Sequence, residues 1–250
     1  MKYAVSLALV LGILAGYFIA TYINPPVEYY YPVSYTALTA PDIINLGSEI
    51  SMASVFMPAV DADGNGVTTI LDVQILEGSG RALANIDKLL FWTDTQNSIR
   101  TARSVAEEIT GKDLSNYDLV YTIRANASVI EGPSAGAALT IATIAALEKK
   151  DINTSVMITG TINHDGTIGP VGEILEKAKA AKEIGAQLFL VPLAQSSQIT
   201  YSSIKHCEPI GWSEICTIEQ VPKKIDVSEQ SGIEVREVRT IHEALKYFLV

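Results

Sequence analysis

Apolar residues recur with helical spacing between Asp94 and Gly111, whereas the apolar segment after them alternates. The helical face consists of Ile99, Ala102, Val105, Ala106 and Ile109. Asp94 or Thr95 can cap this helix at its start, and Gly111 ends it. Leu119–Ala125 alternates with the two-residue period of a strand and leads into a loop rich in glycine and proline. The pattern therefore predicts a helix followed by a strand.

Two further regions have the pattern of β-hairpins. Strand-like segments flank turns rich in Asp, Asn and Gly in both regions: Ser51–Val60 and Val67–Leu76 around Asp61–Gly66, and Val156–Ile162 and Thr167–Val171 around Asn163–Gly166. The first turn also fits the spacing of a calcium loop. An EF-hand needs a helix on each side of that loop, and these flanks are β-branched, so we predict no calcium site.

The remaining elements complete a mixed order of helices and strands. Apolar patterns predict helices over Ala135–Leu147, 172–184 and Ile241–Phe248, and strands over Gln187–Val191 and Ile233–Val238. Residues 193–232 are polar and without clear periodicity, so an irregular segment is expected there. Helices intermixed with hairpins predict an α+β fold with a mixed sheet rather than a doubly wound parallel sheet.

The N-terminus carries a long uncharged apolar stretch. Residues 3–23 are long enough to cross a bilayer as a helix, and Tyr17 and Tyr22 are typical of the membrane interface. No small-x-small cleavage site follows, so a retained anchor is favoured over a cleaved signal peptide. Residues 24–35 are rich in proline and tyrosine and predict an extended linker, and 36–250 predict the globular domain. The weak positive flank at Lys2 predicts an extracytoplasmic domain.

Charge and composition exclude several functions. The 250 residues carry a net charge of −10, which disfavours binding to phosphate backbones. Gly111-Lys112 lacks the surrounding residues of a P-loop, and we predict no nucleotide, no other cofactor and no metal. Cys207 and Cys216 can form a disulfide in an exported domain, or remain thiols in a reducing compartment.

Ser134 is the candidate nucleophile. It lies in Glu131–Gly136, Glu-Gly-Pro-Ser-Ala-Gly, at the start of a predicted apolar helix. The first N–H groups of a helix have no internal partner, and the helix dipole there favours negative charge. A serine in this position can attack a carbonyl while backbone N–H groups hold the oxyanion.

The base that would accept the serine proton is less clear from the residues alone. The histidines are His164 in a turn, His206 beside a cysteine, and His242 in the last helix, of which His242 is the serious candidate. A neutral lysine is the other option, and it must be desolvated to lose its proton near neutral pH. Lys177 and Lys182 both fall within the apolar arc of the 172–184 helix, and periodicity does not choose between them.

Several segments together resemble the proteolytic domain of the Lon proteases: Glu131–Gly136, Thr159-Gly160, and Gly169–Ala181, which reads Gly-Pro-Val-Gly-Glu-Ile-Leu-Glu-Lys-Ala-Lys-Ala-Ala. In that family the serine of the first motif attacks the peptide, and a lysine on a later helix acts as base. The resemblance implies that Ser134 is the nucleophile and Lys177 the base, whereas Lys182 lies outside the motif. It further implies that Glu131 fills an acidic accessory position and that Thr159 helps to orient the lysine.

The resemblance extends from the first hairpin to the last helix, with departures. The ATPase module of Lon is not found in the sequence, and the apolar N-terminal segment stands in its place. We therefore expect an ATP-independent, membrane-anchored peptidase that cleaves peptides or unfolded proteins. The family also implies a homo-oligomeric ring, such as a hexamer. The helix motif reads Gly172-Glu173 at a place where the family commonly has a second glycine. The Cys207–Cys216 segment looks like an insertion relative to the family.

Two other functions remain open from the sequence. An esterase of the α/β-hydrolase type would use Ser134 with His242, in the expected chain order. The hairpins interrupt the parallel alternation that this fold requires. A non-catalytic surface module would use the same fold only for binding.

Overall fold

The first sheet is mixed and is built on a long hairpin. A computed structural model describes residues 49–86, 93–125 and 132–249. The strands of this sheet are β1 (Glu49–Val60), β2 (Gly66–Glu77), β3 (Ala82–Asn85) and β4 (Tyr117–Ala125), in the order β1-β2-β4-β3. β2 pairs antiparallel with β1 and β4, and β3 pairs parallel with β4. The predicted hairpin is confirmed, and the Asp61 carboxylate closes its turn by accepting from the amides of Asp63 and Asn65.

Two helices cover this sheet. They are α1 (Thr93–Thr110) and α2 (Gly136–Glu148), and a short 3₁₀ turn, Pro133–Ala135, precedes α2. Every residue of α2 except Glu148 is buried, as expected for a helix that is apolar on all sides. Its core neighbours include Leu71 of β2 and Tyr121 of β4. The packed α2 therefore fixes the direction in which the 3₁₀ turn enters the core.

A smaller parallel sheet forms the second part of the domain. Its strands are β5 (Val156–Ile158), β8 (Leu188–Pro192) and β11 (Glu234–Val238), in the order β11-β8-β5. Three elements lie between β5 and β8 in the chain: the two-residue strands β6 (Thr161–Ile162) and β7 (Ile168–Gly169), and the helix α3 (Ile174–Glu183). Two further helices come after β8: α4 (Val227–Ser231) and α5 (Ile241–Phe248). The second predicted hairpin is thus confined to β6 and β7, because β5 pairs with β8 instead. The α+β prediction with a mixed sheet is confirmed.

The prediction of an irregular segment over 193–232 is wrong. Ser197–Ile210 and Ser213–Asp226 form two 14-residue strands, β9 and β10, which pair with each other along their whole length. We call residues 197–226 the arm. Its side chains are exposed on both faces over most of this length, so the alternation of buried and exposed residues that marks a half-buried strand is missing. Cys207 and Cys216 lie opposite each other and form a disulfide.

The described residues all belong to one compact unit. The predicted anchor at 3–23 and the linker at 24–35 lie outside the described residues. Within the described ranges, no helix has both the length and the apolar character needed to cross a bilayer.

Candidate active site

Ser134 lies half-buried in the 3₁₀ turn directly before α2. Gly132 starts this turn with a φ of 99°, a conformation that residues with a Cβ atom avoid. Pro133 suits the first position of such a turn, since its missing N–H would have no partner there. The serine hydroxyl therefore lies at the N-terminal end of a helix, where negative charge is stabilised.

The backbone of the serine turn is fixed by the segment that follows β5. The Gly160 amide donates to the Ser134 carbonyl at 3.0 Å, and the Ala137 amide donates to the Gly160 carbonyl at 3.0 Å. A Cβ atom at Gly160 would lie 2.3 Å from the Ile168 side chain, so a glycine is needed for this close approach. Among the described residues the Ser134 hydroxyl itself makes no hydrogen bond. The turn is held by its backbone, and its hydroxyl is left available for chemistry.

Thr159 lies beneath the serine turn and is almost fully buried, with 1% of its surface exposed. Its hydroxyl makes a long, 3.5 Å contact with the Ser134 carbonyl oxygen, and its amide donates to the Leu190 carbonyl of β8. The structure therefore brings Thr159 to the predicted nucleophile. The resemblance led us to expect its contact at the lysine instead.

Lys177 is the buried lysine of α3. Only 4% of its surface is exposed, whereas Lys179 and Lys182 are both exposed. It lies on the same face as Ile174, Ala178 and Ala181, which pack in a core cluster with residues of β5 and β8. Periodicity left Lys177 and Lys182 as equal candidates, and burial distinguishes them.

Burial also changes the acid–base chemistry of Lys177. Desolvation lowers the pKa of its ammonium group, because the charged form loses water. The carboxylates of Glu173 and Glu176 act in the opposite direction and raise this pKa, but desolvation is the larger effect. The Lys177 Nζ donates to the Gly172 carbonyl at 3.0 Å. A buried amine with a lowered pKa is the form of lysine that can accept a proton near neutral pH.

The turn before α3 is held by a residue that the sequence did not point to. The Gln195 side chain accepts from the Val171 amide at 3.0 Å and donates to the Val171 carbonyl at 2.7 Å. The next residue, Gly172, supplies the carbonyl that binds Lys177. Gln195 therefore holds the turn whose next carbonyl binds the lysine. No pattern in the chain could have identified it, because its role arises from a contact across 24 residues.

Different elements hold Ser134 and Lys177. The serine turn is bound through Thr159 and Gly160, which follow β5, and α3 packs against the cluster that contains Phe189 of β8. In the described residues no hydrogen bond joins Lys177 to Ser134, and the lysine donates to the Gly172 carbonyl instead. Glu131, the predicted acidic accessory residue, lies outside the described residues.

The histidines differ from Lys177 in their burial. His164, His206 and His242 are all exposed. The esterase alternative needs His242 oriented at the serine within an α/β-hydrolase sheet. The described sheets are instead one mixed sheet, a three-stranded parallel sheet and two hairpins, one of which is the arm.

The chain was also compared with known proteins. A family model of the Lon protease (S16) C-terminal proteolytic domain matches residues 93–225. An archaeal Lon protease of Thermococcus kodakarensis is 29% identical over 154 residues, which are 61% of this chain and 24% of that protein. An archaeal Lon protease of Thermoplasma volcanium is 31% identical over 128 residues, 51% of this chain and 19% of that protein. Lon protease 2 of Bacillus subtilis is 25% identical over 206 residues, 82% of this chain and 31% of that protein.

These matches cover less than a third of each of the three relatives' own length. The matched range 93–225 includes Ser134, Thr159, Lys177 and Gln195. Since the family model covers more than half of the 250 residues, the chain belongs to the family of the Lon protease (S16) C-terminal proteolytic domain.

Proposed function

We propose that this chain is a serine endopeptidase in which Ser134 is the nucleophile and Lys177 the general base. The observation that carries the proposal is the burial of Lys177, which lowers its pKa while its neighbours Lys179 and Lys182 stay in water. Membership of the Lon proteolytic-domain family supports the same reaction class.

In the proposed mechanism, the neutral Lys177 amine takes the proton of the Ser134 hydroxyl as the serine oxygen attacks a peptide carbonyl. The lysine then gives this proton to the leaving amine, and a water molecule hydrolyses the acyl-serine by the same route. The neutral amine can keep one N–H bond to the Gly172 carbonyl while its lone pair accepts the serine proton. Catalytic hydrogen bonds often form fully only when substrate is bound, so this step is compatible with the chemistry.

The proposed substrates are peptides and unfolded proteins. The serine–lysine reaction itself uses no nucleotide, and we propose that these residues cleave without ATP. We further propose that residues 3–23 attach the domain to a membrane, with the catalytic site on the extracytoplasmic side. The Lon family match supports a peptide or protein substrate, and the apolar N-terminal sequence supports the attachment.

The test is the labelling of Ser134 by a serine-reactive phosphonate probe in the full chain. We expect wild type to be labelled, Lys177→Met to be unlabelled, and Lys182→Met to be labelled at the wild-type rate. Methionine keeps the volume of the buried stem and removes the desolvated amine, so the thermal midpoint of Lys177→Met should not fall. Loss of labelling in that variant cannot then be attributed to unfolding.

A parallel variant separates this proposal from the esterase. His242→Ala should leave labelling unchanged, because His242 is exposed. Labelling that is lost in His242→Ala and kept in Lys177→Met would overturn the assignment of the base. Cleavage of an unfolded protein by wild type, at equal rates with and without ATP, tests the substrate class and the energy requirement.

A further inference from the structure

The arm exposes more apolar surface than a solvated ribbon should. Ile199, Tyr201 and Ile218 are 64–67% exposed, and Trp212 at the tip is fully exposed. Ile204 and Ile215 are also exposed. These six side chains are spread over both faces and the tip of the arm, and together they present on the order of 800 Å² of mostly apolar surface to water. Three of them share one face and supply roughly half of that area, which is about half of one partner's share of a standard protein interface. An isolated two-stranded ribbon is only marginally stable in water. We therefore expect another molecule to cover part of this apolar surface.

Three of the five exposed apolar strand residues of the arm lie on one face, and Ile204 and Ile215 lie on the other. Residues that are paired across β9 and β10 project to the same side, and successive residues alternate. One face therefore carries these register pairs: Ile199 with Lys224, Tyr201 with Pro222, Ser203 with Gln220, Lys205 with Ile218, Cys207 with Cys216, and Pro209 with Glu214. We call it the disulfide face. Three of the most exposed apolar side chains, Ile199, Tyr201 and Ile218, all lie on it.

The disulfide face carries three charged side chains, Lys224, Lys205 and Glu214, and two of them mark its ends. Lys224 lies near the base of the arm and Glu214 near its tip, ten register positions apart. At about 3.4 Å per residue, this separation is about 34 Å. When two such faces meet in antiparallel orientation, Lys224 of each copy lies opposite Glu214 of the other. In a parallel orientation, like charges would face each other at both ends.

The apolar positions fit the same antiparallel arrangement. With the two-fold axis at the middle of the arm, Tyr201 and Pro222 of one copy face the disulfide of the other. Aromatic rings pack favourably against sulfur. Ile199 meets Pro209, and Lys205 and Ile218 of one copy meet Ser203 and Gln220 of the other. A surface that complements itself in this way is the requirement for a two-fold symmetric interface.

We propose that the disulfide face of the arm binds the disulfide face of a second copy of this chain, antiparallel and about a two-fold axis. The apolar residues supply the affinity, and the Lys224–Glu214 pairs select the orientation, since exposed ion pairs contribute little energy but discriminate between alignments. The interface involves only the arm and does not depend on the proposed peptidase activity.

Zero-length carbodiimide cross-linking of the full chain in mild detergent tests this directly, with peptide mapping by mass spectrometry. Lys224 and Glu214 are too far apart in one ribbon to be linked within a chain, so a Lys224–Glu214 peptide can form only between copies. We expect that peptide in wild type. Lys224→Glu and Glu214→Lys each remove one of the two groups that the reagent joins, so the dimer of these variants is measured by sedimentation instead. Each variant should weaken the dimer by about tenfold, and the double charge swap should restore both the dimer and the cross-link between positions 224 and 214.

Lys223→Glu is the matched control, because Lys223 carries the same charge one position away and projects from the opposite face. It should leave the dimer unchanged. Oligomers formed through other surfaces would give other cross-links and would persist in the charge-reversal variants. The proposal is overturned if no Lys224–Glu214 peptide forms, if the double swap fails to restore the dimer, or if Lys223→Glu is the disruptive change. A blue shift of Trp212 fluorescence on anionic vesicles, without that peptide, would assign the arm to a lipid surface instead.

Discussion

Glu173 offers the sharpest test of the site, because it affects stability and acid–base chemistry by separate routes. It begins α3 with φ 55° and ψ 41°, the left-handed conformation that glycine adopts without steric cost. Its carboxylate also raises the pKa of Lys177, against the effect of burial. Two substitutions separate these effects. Glu173→Gly removes both the strain and the charge, whereas Glu173→Gln removes only the charge.

The expected gain in stability comes from the backbone. A non-glycine residue in the left-handed region costs about 1–2 kcal/mol. Glycine returns about 0.5–1 kcal/mol of this through the greater entropy of its unfolded chain. Glu173→Gly should therefore raise the free energy of unfolding by about 0.5–1 kcal/mol relative to Glu173→Gln. For a domain of this size, that corresponds to about 1–4 °C in the thermal midpoint.

The effect on the pH profile has a definite sign. Lys177 acts as base only when neutral, so the rate of Ser134 labelling should rise with pH through the lowered pKa of this lysine and level off below the range of an ordinary lysine. Loss of the Glu173 carboxylate removes a charge that favours the ammonium form. Both variants should therefore shift the rising limb to lower pH, and added salt should reduce the shift because Glu173 is exposed.

Thermal unfolding and the pH dependence of probe labelling are measured on the same three proteins. If Glu173→Gly is no more stable than Glu173→Gln, the strain argument is wrong. If both variants remain active with an unshifted rising limb, Lys177 is not the group that titrates in that limb.

Two further predictions concern residues around the site and the first sheet. The buried Asp118 carboxylate accepts from the Arg81 side chain and from the amides of Ser79 and Arg81, which hold its pKa well below the ordinary range. Its stabilising effect is present above the unfolded-state pKa of about 3.9 and is lost as pH falls through the folded-state pKa. Asp118→Asn should thus lower the free energy of unfolding, measured in urea, at pH 7. The difference from wild type should be smaller below pH ~4. An equal difference at both pH values would contradict the assignment of this stabilisation to the charged carboxylate. Gln195→Ala frees the turn at Val171 and should slow Ser134 labelling by about tenfold or more, with little loss of thermal stability. An unchanged rate would mean that the turn keeps its geometry without the glutamine.

Local patterns were sufficient for the elements whose signals lie within the element itself. The first hairpin, α1 and α5 were predicted from the turn residues at Asp61–Gly66, from helical spacing with Gly111 at the end, and from the short apolar pattern of Ile241–Phe248. Each of these signals involves residues that are neighbours in the chain. The sequence does not predict the arm, because most side chains on both of its faces are exposed. It also places β5 in a hairpin, because the residues that β5 pairs with in β8 lie 32 positions further along the chain.

By itself the sequence determined the chemical groups: a serine at the start of an apolar helix, and a helix whose apolar arc contains two lysines. Helical periodicity is a property of one segment, and it cannot tell which side of that arc other elements will cover. The tertiary structure decided this, because α3 packs against β1, β2, β8 and α4 in the folded domain. Lys177 is buried there, whereas Lys182, in the last turn, stays in water. Desolvation of an amine depends on everything packed around it, and therefore appears only when the whole domain is folded.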